Sequence, residues 1–199
     1  MAPLAAGARA RLLPSAPTSA QLAYCRGRAQ DVGARLSIAL LATVALANVW
    51  TPGAVLCSVG WLWLPYADAL RRKAGGSPSE GRFPHVALWF TRVRSVEEAY
   101  EPLGEAEVVV GDGAPDRGPT LVLRVPLPPS PFAERPAPPL PQPGDDAVVV
   151  VLSDDKRMRR FKALPEAYIP ADDVFVGEGM PLLDRDEARE AIRQVAGWQ

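Results

Sequence analysis

Three patterns of apolar and polar positions follow one another along the chain. From Leu36 to Tyr66 the apolar residues cover every face a helix would present and leave no polar stripe. From Arg82 onward the pattern changes to period two and short β-rich runs. These predict strands over His85–Val93, Ala106–Val110, Thr120–Val125, Ala147–Leu152, Ala167–Ile169 and Val174–Val176. Gly111-Asp112-Gly113, Pro143-Gly144-Asp145 and Ser153-Asp154-Asp155 supply turn chemistry between several of them. The end returns to helical spacing. Asp184 stands as an N-cap with Glu187 three residues on, as in a capping box, and Ala188, Ile192 and Val195 form an apolar face. The expected fold class is α+β: an N-terminal transmembrane helical hairpin, a small antiparallel barrel or sandwich, and a C-terminal helix.

The hairpin follows from the apolar run. No charged residue falls between Arg35 and Asp68, and Thr51-Pro52-Gly53 divides the run into Leu36–Trp50 and Ala54–Tyr66. A helix without a wet side must be surrounded by protein or lipid. The rest of the chain is too small, and too rich in short strands, to bury two such helices, so lipid is the expected solvent. Each half, at about 15 residues, reaches only about 23 Å against a hydrocarbon core of about 30 Å. One continuous helix would instead carry Pro52-Gly53 at its centre. Charge arbitrates. Arg26, Arg28 and Arg35 precede the run, Arg71, Arg72 and Lys73 follow it, and the turn between the halves has no Lys or Arg. Basic flanks at both ends belong on one side of a membrane, as a hairpin requires. A single crossing and a hairpin buried in protein are the alternatives. In the hairpin, Trp50 marks the far interface and Trp61, Trp63 and Tyr66 lie towards the near one. Just upstream, Leu22, Cys25, Ala29, Val32 and Leu36 recur at helical spacing, with Arg26, Arg28 and Arg35 off the stripe. This suits a helix lying along the interface, or the first turns of the membrane helix.

Composition adds three things. The formal net charge of −1 gives no overall drive towards nucleic acid. Before Asp31 there is no acidic residue, so residues 1–18, rich in Ala, Arg and Ser, read as a disordered leader or a transit-peptide remnant. The expected organisation is then that leader, an anchor over 19–73, and a soluble β-rich domain over 82–199. Many of the 22 prolines fall in 126–143, a stiff, extended hairpin loop that also carries PxxP spacing. Two cysteines, Cys25 and Cys57, make no disulfide framework.

Candidate chemistry is sparse. The single histidine, His85, has no cysteine or histidine at ligand spacing. Neither a phosphate-binding glycine loop nor a nucleophile elbow is present. Asp145-Asp146 and Asp172-Asp173 sit beside turns and lack the spaced oxygens of a cation loop. The expectation is a non-enzymatic protein without catalytic residues, metal or cofactor. The one candidate binding feature is the basic cluster Lys156, Arg157, Arg159, Arg160 and Lys162, suited to anionic lipid or an acidic partner surface, with a solvated hairpin tip as the alternative. A single interleaved aromatic, Phe161, argues against RNA.

The entry QLAYCRGRAQDV, the apolar pair, the strands HVALWFTRV and LRVPL, the PGD turn and the ending from VVLSDDKRMRRFKALPEAYIPADDVFVGEG onward resemble a family of small membrane proteins of cyanobacteria and plastids. The resemblance covers Gln21 to about Arg193. Its clearest parts are Leu123–Leu127 with Pro143–Asp145, and Tyr168-Ile169-Pro170 followed by Val174–Val176. It implies two membrane segments and a thylakoid setting, and supplies no catalytic residues. The Pro-rich insertion after Leu127 and the shorter, Ala-rich membrane segments depart from that family. Some of its members carry a phosphate-transporter permease label, but two short segments without an intramembrane charge make no translocation path alone. The expected function is that of an accessory protein of the photosynthetic membrane, with its soluble domain on the stromal or cytoplasmic side, assisting assembly or stability of a membrane complex. An accessory transporter subunit and a membrane-associated enzyme are the alternatives.

Overall fold

In this computed structural model the chain opens with a two-residue strand, β1 (Ala2–Pro3), and a short helix, α1 (Ala8–Leu12). The structure describes residues 1–5, 7–27, 29–76, 83–99, 105–112, 118–126, 140–177 and 179–197. Arg28, Gly113 and the Pro-rich residues 127–139 lie outside the described residues. Met1–Leu13 and Pro78–Gln199 form one compact unit and Pro14–Ser77 a second.

The first unit is a curled antiparallel sheet. Its strands are β2 (His85–Ala99), β3 (Glu105–Gly111), β4 (Thr120–Pro126), β5 (Asp146–Ser153), β6 (Lys162–Ile169) and β7 (Val174–Gly177), in spatial order β4-β3-β2-β5-β6-β7. Two meanders, β2-β3-β4 and β5-β6-β7, are thus joined along β2 and β5. β2 is long because it serves two partners: residues 85–92 pair with β5 and residues 92–99 with β3. A bulge at Val93/Ser95 falls where it changes partner, and a second lies at Val149/Val151. Bulges bend strands, and this sheet curls until β4 approaches β6 and β7. The result is a half-barrel. β5 shows why its sequence lacks alternation, since seven of its eight residues are buried and both its faces are covered. One face packs Trp89, Val108, Leu123, Val149 and Ile169 into the inside of the curl. The other packs Leu88, Val150 and Leu164 against Leu12, Leu183 and Ile192.

All six predicted strands are present, extended by one to six residues. The Pro-rich connection is not a hairpin loop: β4 is an edge strand and β5 a central one, so the chain crosses from one meander to the other.

The residues expected to form a disordered leader also differ. Ala2 and Pro3 pair with Leu88 and Ala87, and Leu4 N donates to Val86 O at 3.0 Å. They continue the edge of β2 that β3 leaves open. Leu12 is 1% exposed and its carbonyl accepts from Asp184 N at 2.8 Å. The acid-free composition masked two leucines, Leu12 and Leu13, that complete a core.

The C-terminal helix α5 (Arg185–Ala196) has Asp184 as N-cap, accepting from Asp186 N and Glu187 N, and ends at Gly197 in the left-handed region. Ala188 and Ile192 are buried as expected, whereas Val195 is 39% exposed, off the sheet-facing stripe.

The second unit holds α2 (Ser19–Arg26), α3 (Ala29–Ala47) and α4 (Thr51–Gly76). Thr18 and Gln21 close a capping box at the start of α2. α3 and α4 pack together as two helices, and the break falls at Asn48–Trp50, before the expected Thr51-Pro52-Gly53. Pro52 stands in the first turn of α4, where its missing N–H costs no intrahelical bond. A Cβ on Gly53 would run into the Trp50 ring, so glycine lets the indole fold over the new helix. Both helices run past the apolar core of the sequence, and at 19 residues α3 is about 28 Å long. Small residues line the contact: Ala39, Ala42 and Thr43 on α3 are half-covered, Gly53 and Ala54 on α4 buried. Thr43 Oγ1 donates to Ala39 O at 2.8 Å, so its hydroxyl is satisfied within the helix.

Candidate functional site

One of the two segments that carry the clearest resemblance, Tyr168–Val176, is a structural corner. Tyr168 OH donates to Asp173 Oδ1 at 2.8 Å, and Arg189 Nε donates to the same oxygen at 2.9 Å. Asp173 holds φ 51°, a left-handed turn conformation that aspartate tolerates. The guanidinium carbons of Arg185 and Arg189 stand 5.3 and 5.2 Å from the Phe175 ring centroid. Beside them Glu166, 3% exposed, accepts from Leu182 N at 3.3 Å, Leu183 N at 3.4 Å and Arg185 Nε at 2.8 Å. These contacts dock α5 and the segment before it onto β6 and β7. Glu166→Ala is expected to lower stability by about 3 kcal/mol, because two amides and a guanidinium lose a buried acceptor. A urea midpoint equal to the parent's would show that the clamp carries no stability.

The Tyr168 hydroxyl, and after it Arg189, hold the Asp173 carboxyl below its ordinary range. Burial pushes the Tyr168 phenol up, and its bond to Asp173 adds to this. For a depressed carboxylate the stabilisation is present above the unfolded value of about 3.9 and is lost as pH falls through the folded one. The Asp173 side chain is 63% exposed, so the effect stays within about 1 kcal/mol. Asp173→Asn should lower stability at neutral pH by up to about 1 kcal/mol and flatten the acid limb, so that the urea midpoints of parent and variant converge below pH 4.

The expected membrane-surface residues divide by environment. Arg26 and Arg71 are exposed, and Arg28 lies outside the described residues. Arg35 donates to the carbonyls of Cys25, at 3.1 Å, and Arg26, at 3.3 Å, closing the end of α2. Arg72 pairs with Asp68 at 2.9 Å. Lys73 is not at a surface. It is 7% exposed, and its ammonium donates to Ala16 O at 2.8 Å and Gln21 Oε1 at 3.4 Å, which binds α2 to α4. The carbonyls at the start of α2 give that charge a better partner than the sequence revealed. Trp50 sits in the turn, Trp61 is half-buried, and Trp63 meets Tyr66 edge-on at 6.3 Å. The expected stripe through Leu22, Cys25, Ala29, Val32 and Leu36 is broken at Gly27, and the buried face of α2 is Gln21 and Cys25. Burial raises the Cys25 thiol, and Asp68 raises it further, so this cysteine stays a protonated packing group.

Lys156, Arg157, Arg159 and Arg160 lie on the β5–β6 connection and Lys162 opens β6. All five are exposed, and none joins an ion pair among the described residues. The connection has fixed geometry. Ser153 Oγ donates to Arg160 O and accepts from Asp155 N at 3.0 Å, Asp155 Oδ1 accepts from Arg157 N at 2.9 Å, and Met158 turns the chain at φ 53°.

Two clefts flank β2. One, of about 560 Å³, is lined by Arg92, Arg94, Asp112 and Asp146. Its charges compensate each other: Arg92 pairs with Asp146 at 3.2 Å and Arg94 donates to the Asp112 carbonyl, while the Asp112 carboxylate accepts from Trp89 Nε1 at 2.6 Å. The other, of about 520 Å³, is lined by Leu4, Arg9, His85, Lys156 and Met158 among others. Arg9 had no signal in the sequence beyond its place in a basic leader, and His85 none beyond being the single histidine.

No curated protein and no solved structure matches this chain. A family model does, over residues 2–197, taking in the N-terminal strand, the helical hairpin and the sheet alike, so the chain belongs to that family, described as a family of unknown function (DUF8619).

Proposed function

We propose that this protein is a membrane-anchored, non-enzymatic accessory protein: α3 and α4 cross the bilayer as a hairpin, and the β-rich unit binds a membrane complex and assists its assembly or stability. The observation that carries the reading is the surface of the hairpin. No residue of α3 is buried, and Ile38, Leu41, Val44, Leu62 and Trp63 are each at least 60% exposed. Water would penalise so much contiguous apolar surface, whereas lipid matches it. The two helices are long and apolar enough to cross a membrane. Their antiparallel packing brings Arg26, Arg71 and Arg72 to one end and the uncharged Asn48–Trp50 turn to the other, which orients the basic end to the cytoplasmic or stromal side. Lipid and a protein complex are then the partners. The resemblance to small membrane proteins of cyanobacteria and plastids makes the thylakoid the setting of the proposal.

Two measurements test it. Carbonate washing of membranes should leave the full-length protein in the pellet; its release would remove the anchor from the reading. Blue-native gels of mild-detergent extracts should show it comigrating with a larger complex, and migration solely as free monomer would overturn the accessory role.

A further inference from the structure

We infer that the cleft between β1, the start of β2 and the β5–β6 connection binds a phosphate-bearing anion. Three segments far apart in sequence meet there, and each brings one basic side chain: Arg9, His85 and Lys156. Arg9 is held in place, its Nη1 donating to Phe83 O. Lys156 is presented by the hydrogen-bonded connection described above, and neither it nor His85 joins an ion pair among the described residues. No carboxylate is among the described residues lining the cleft, whereas Asp112 and Asp146 line the cleft at the middle of β2. Guanidinium, imidazole and ammonium donors around one space match the several acceptor oxygens of a phosphate, which takes charge-assisted bonds from different directions. Arg157, Arg159 and Arg160 nearby add a field that raises the local anion concentration.

The walls define the remainder of the ligand. Pro3, Leu4, Val86 and Met158 are apolar, and about 520 Å³ is far more than a bare phosphate fills. The site therefore takes a phosphate ester whose other part lies on that apolar wall. The same chemistry is offered by a soluble phosphate ester and by a phospholipid headgroup. This inference does not depend on the anchor reading, since every residue it uses belongs to the β-rich unit.

His85 is the single histidine of the chain, so its imidazole resonances report on this cleft alone. The test uses the full chain in bicelles, titrated in separate arms with inorganic phosphate, with glycerol 3-phosphate, and by replacing phosphatidylcholine with phosphatidylglycerol. A saturable shift of the His85 signals is expected in at least one arm. Lys156 is exposed, so Lys156→Gln leaves the fold intact and should weaken that binding about tenfold. Saturation by the soluble probes identifies a soluble ester, and saturation by phosphatidylglycerol alone identifies the headgroup. Unmoved His85 signals in every arm, or a Lys156→Gln titration equal to the parent's, would overturn the assignment.

Discussion

Beginning the chain at Pro14 is expected to cost the β-rich unit at least about 3 kcal/mol, enough to populate its unfolded form in mild urea. Leu12 is 1% exposed against Leu88, Val150 and Ile192, and emptying a leucine site of this kind costs about 2–5 kcal/mol. The deletion also removes the Leu12 carbonyl that pairs Asp184 N at the cap of α5, and it opens the edge of β2 along Ala87 and Leu88. Leu12→Ala isolates the first of these terms and should cost about 2–4 kcal/mol without opening the edge. Because the chain has five tryptophans, hydrogen exchange of the β5 amides is a cleaner readout than fluorescence. Protection in the shortened chain equal to the parent's would mean that residues 1–13 decorate the sheet and do not complete it.

Sequence patterning located the strands well because β2 to β7 obey local rules, with β-branched runs bounded by Gly, Pro and Asp. It failed where placement depended on distant partners. Nothing local distinguishes Ala2–Pro3 as a strand; it is one because β3 stops short along β2. Nor does a Pro-rich connection announce whether it joins neighbours. That β5 is central is legible in its five-residue Val-Leu run, which is buried on both faces, whereas nothing local in the Pro-rich connection says which strand it leads to.

The candidate cleft was largely illegible for the same reason. The basic loop stood out as a cluster of like charges, whereas Arg9 lay in a leader and His85 in a strand, 76 positions apart. Only the pairing of β1 with β2 brings them to one cleft. Lys73 shows the reverse error. Its neighbours Arg71 and Arg72 suggest a third surface cation, yet the helical rotation of about 100° per residue points it at the Ala16 carbonyl and the Gln21 side chain.

Placing arginines at the middle of both hydrophobic helices, Ile38→Arg with Leu62→Arg, is expected to abolish stable membrane association. Both positions are well exposed, at 68% and 60%, so neither substitution creates a clash. Near the bilayer midplane each arginine costs about 2.5–3.5 kcal/mol of insertion free energy, about 5–7 kcal/mol for the pair. α3 and α4 carry few polar groups of their own to absorb that cost, although snorkelling recovers part of it for a residue near a helix end. Ile38 lies about 2.5 turns from either end of α3 and Leu62 at least about three turns from either end of α4, which is too deep for full recovery. The choice of variant matters because the two solvents predict opposite signs. If water surrounds the hairpin, exposed arginines relieve an apolar patch and the double variant becomes more soluble and better behaved than the parent. If lipid surrounds it, the variant moves from the carbonate-resistant pellet to the supernatant or is degraded. Carbonate fractionation of parent and variant side by side decides between them. Retention of the double variant in the pellet at the parent's level would exclude lipid contact at these two positions.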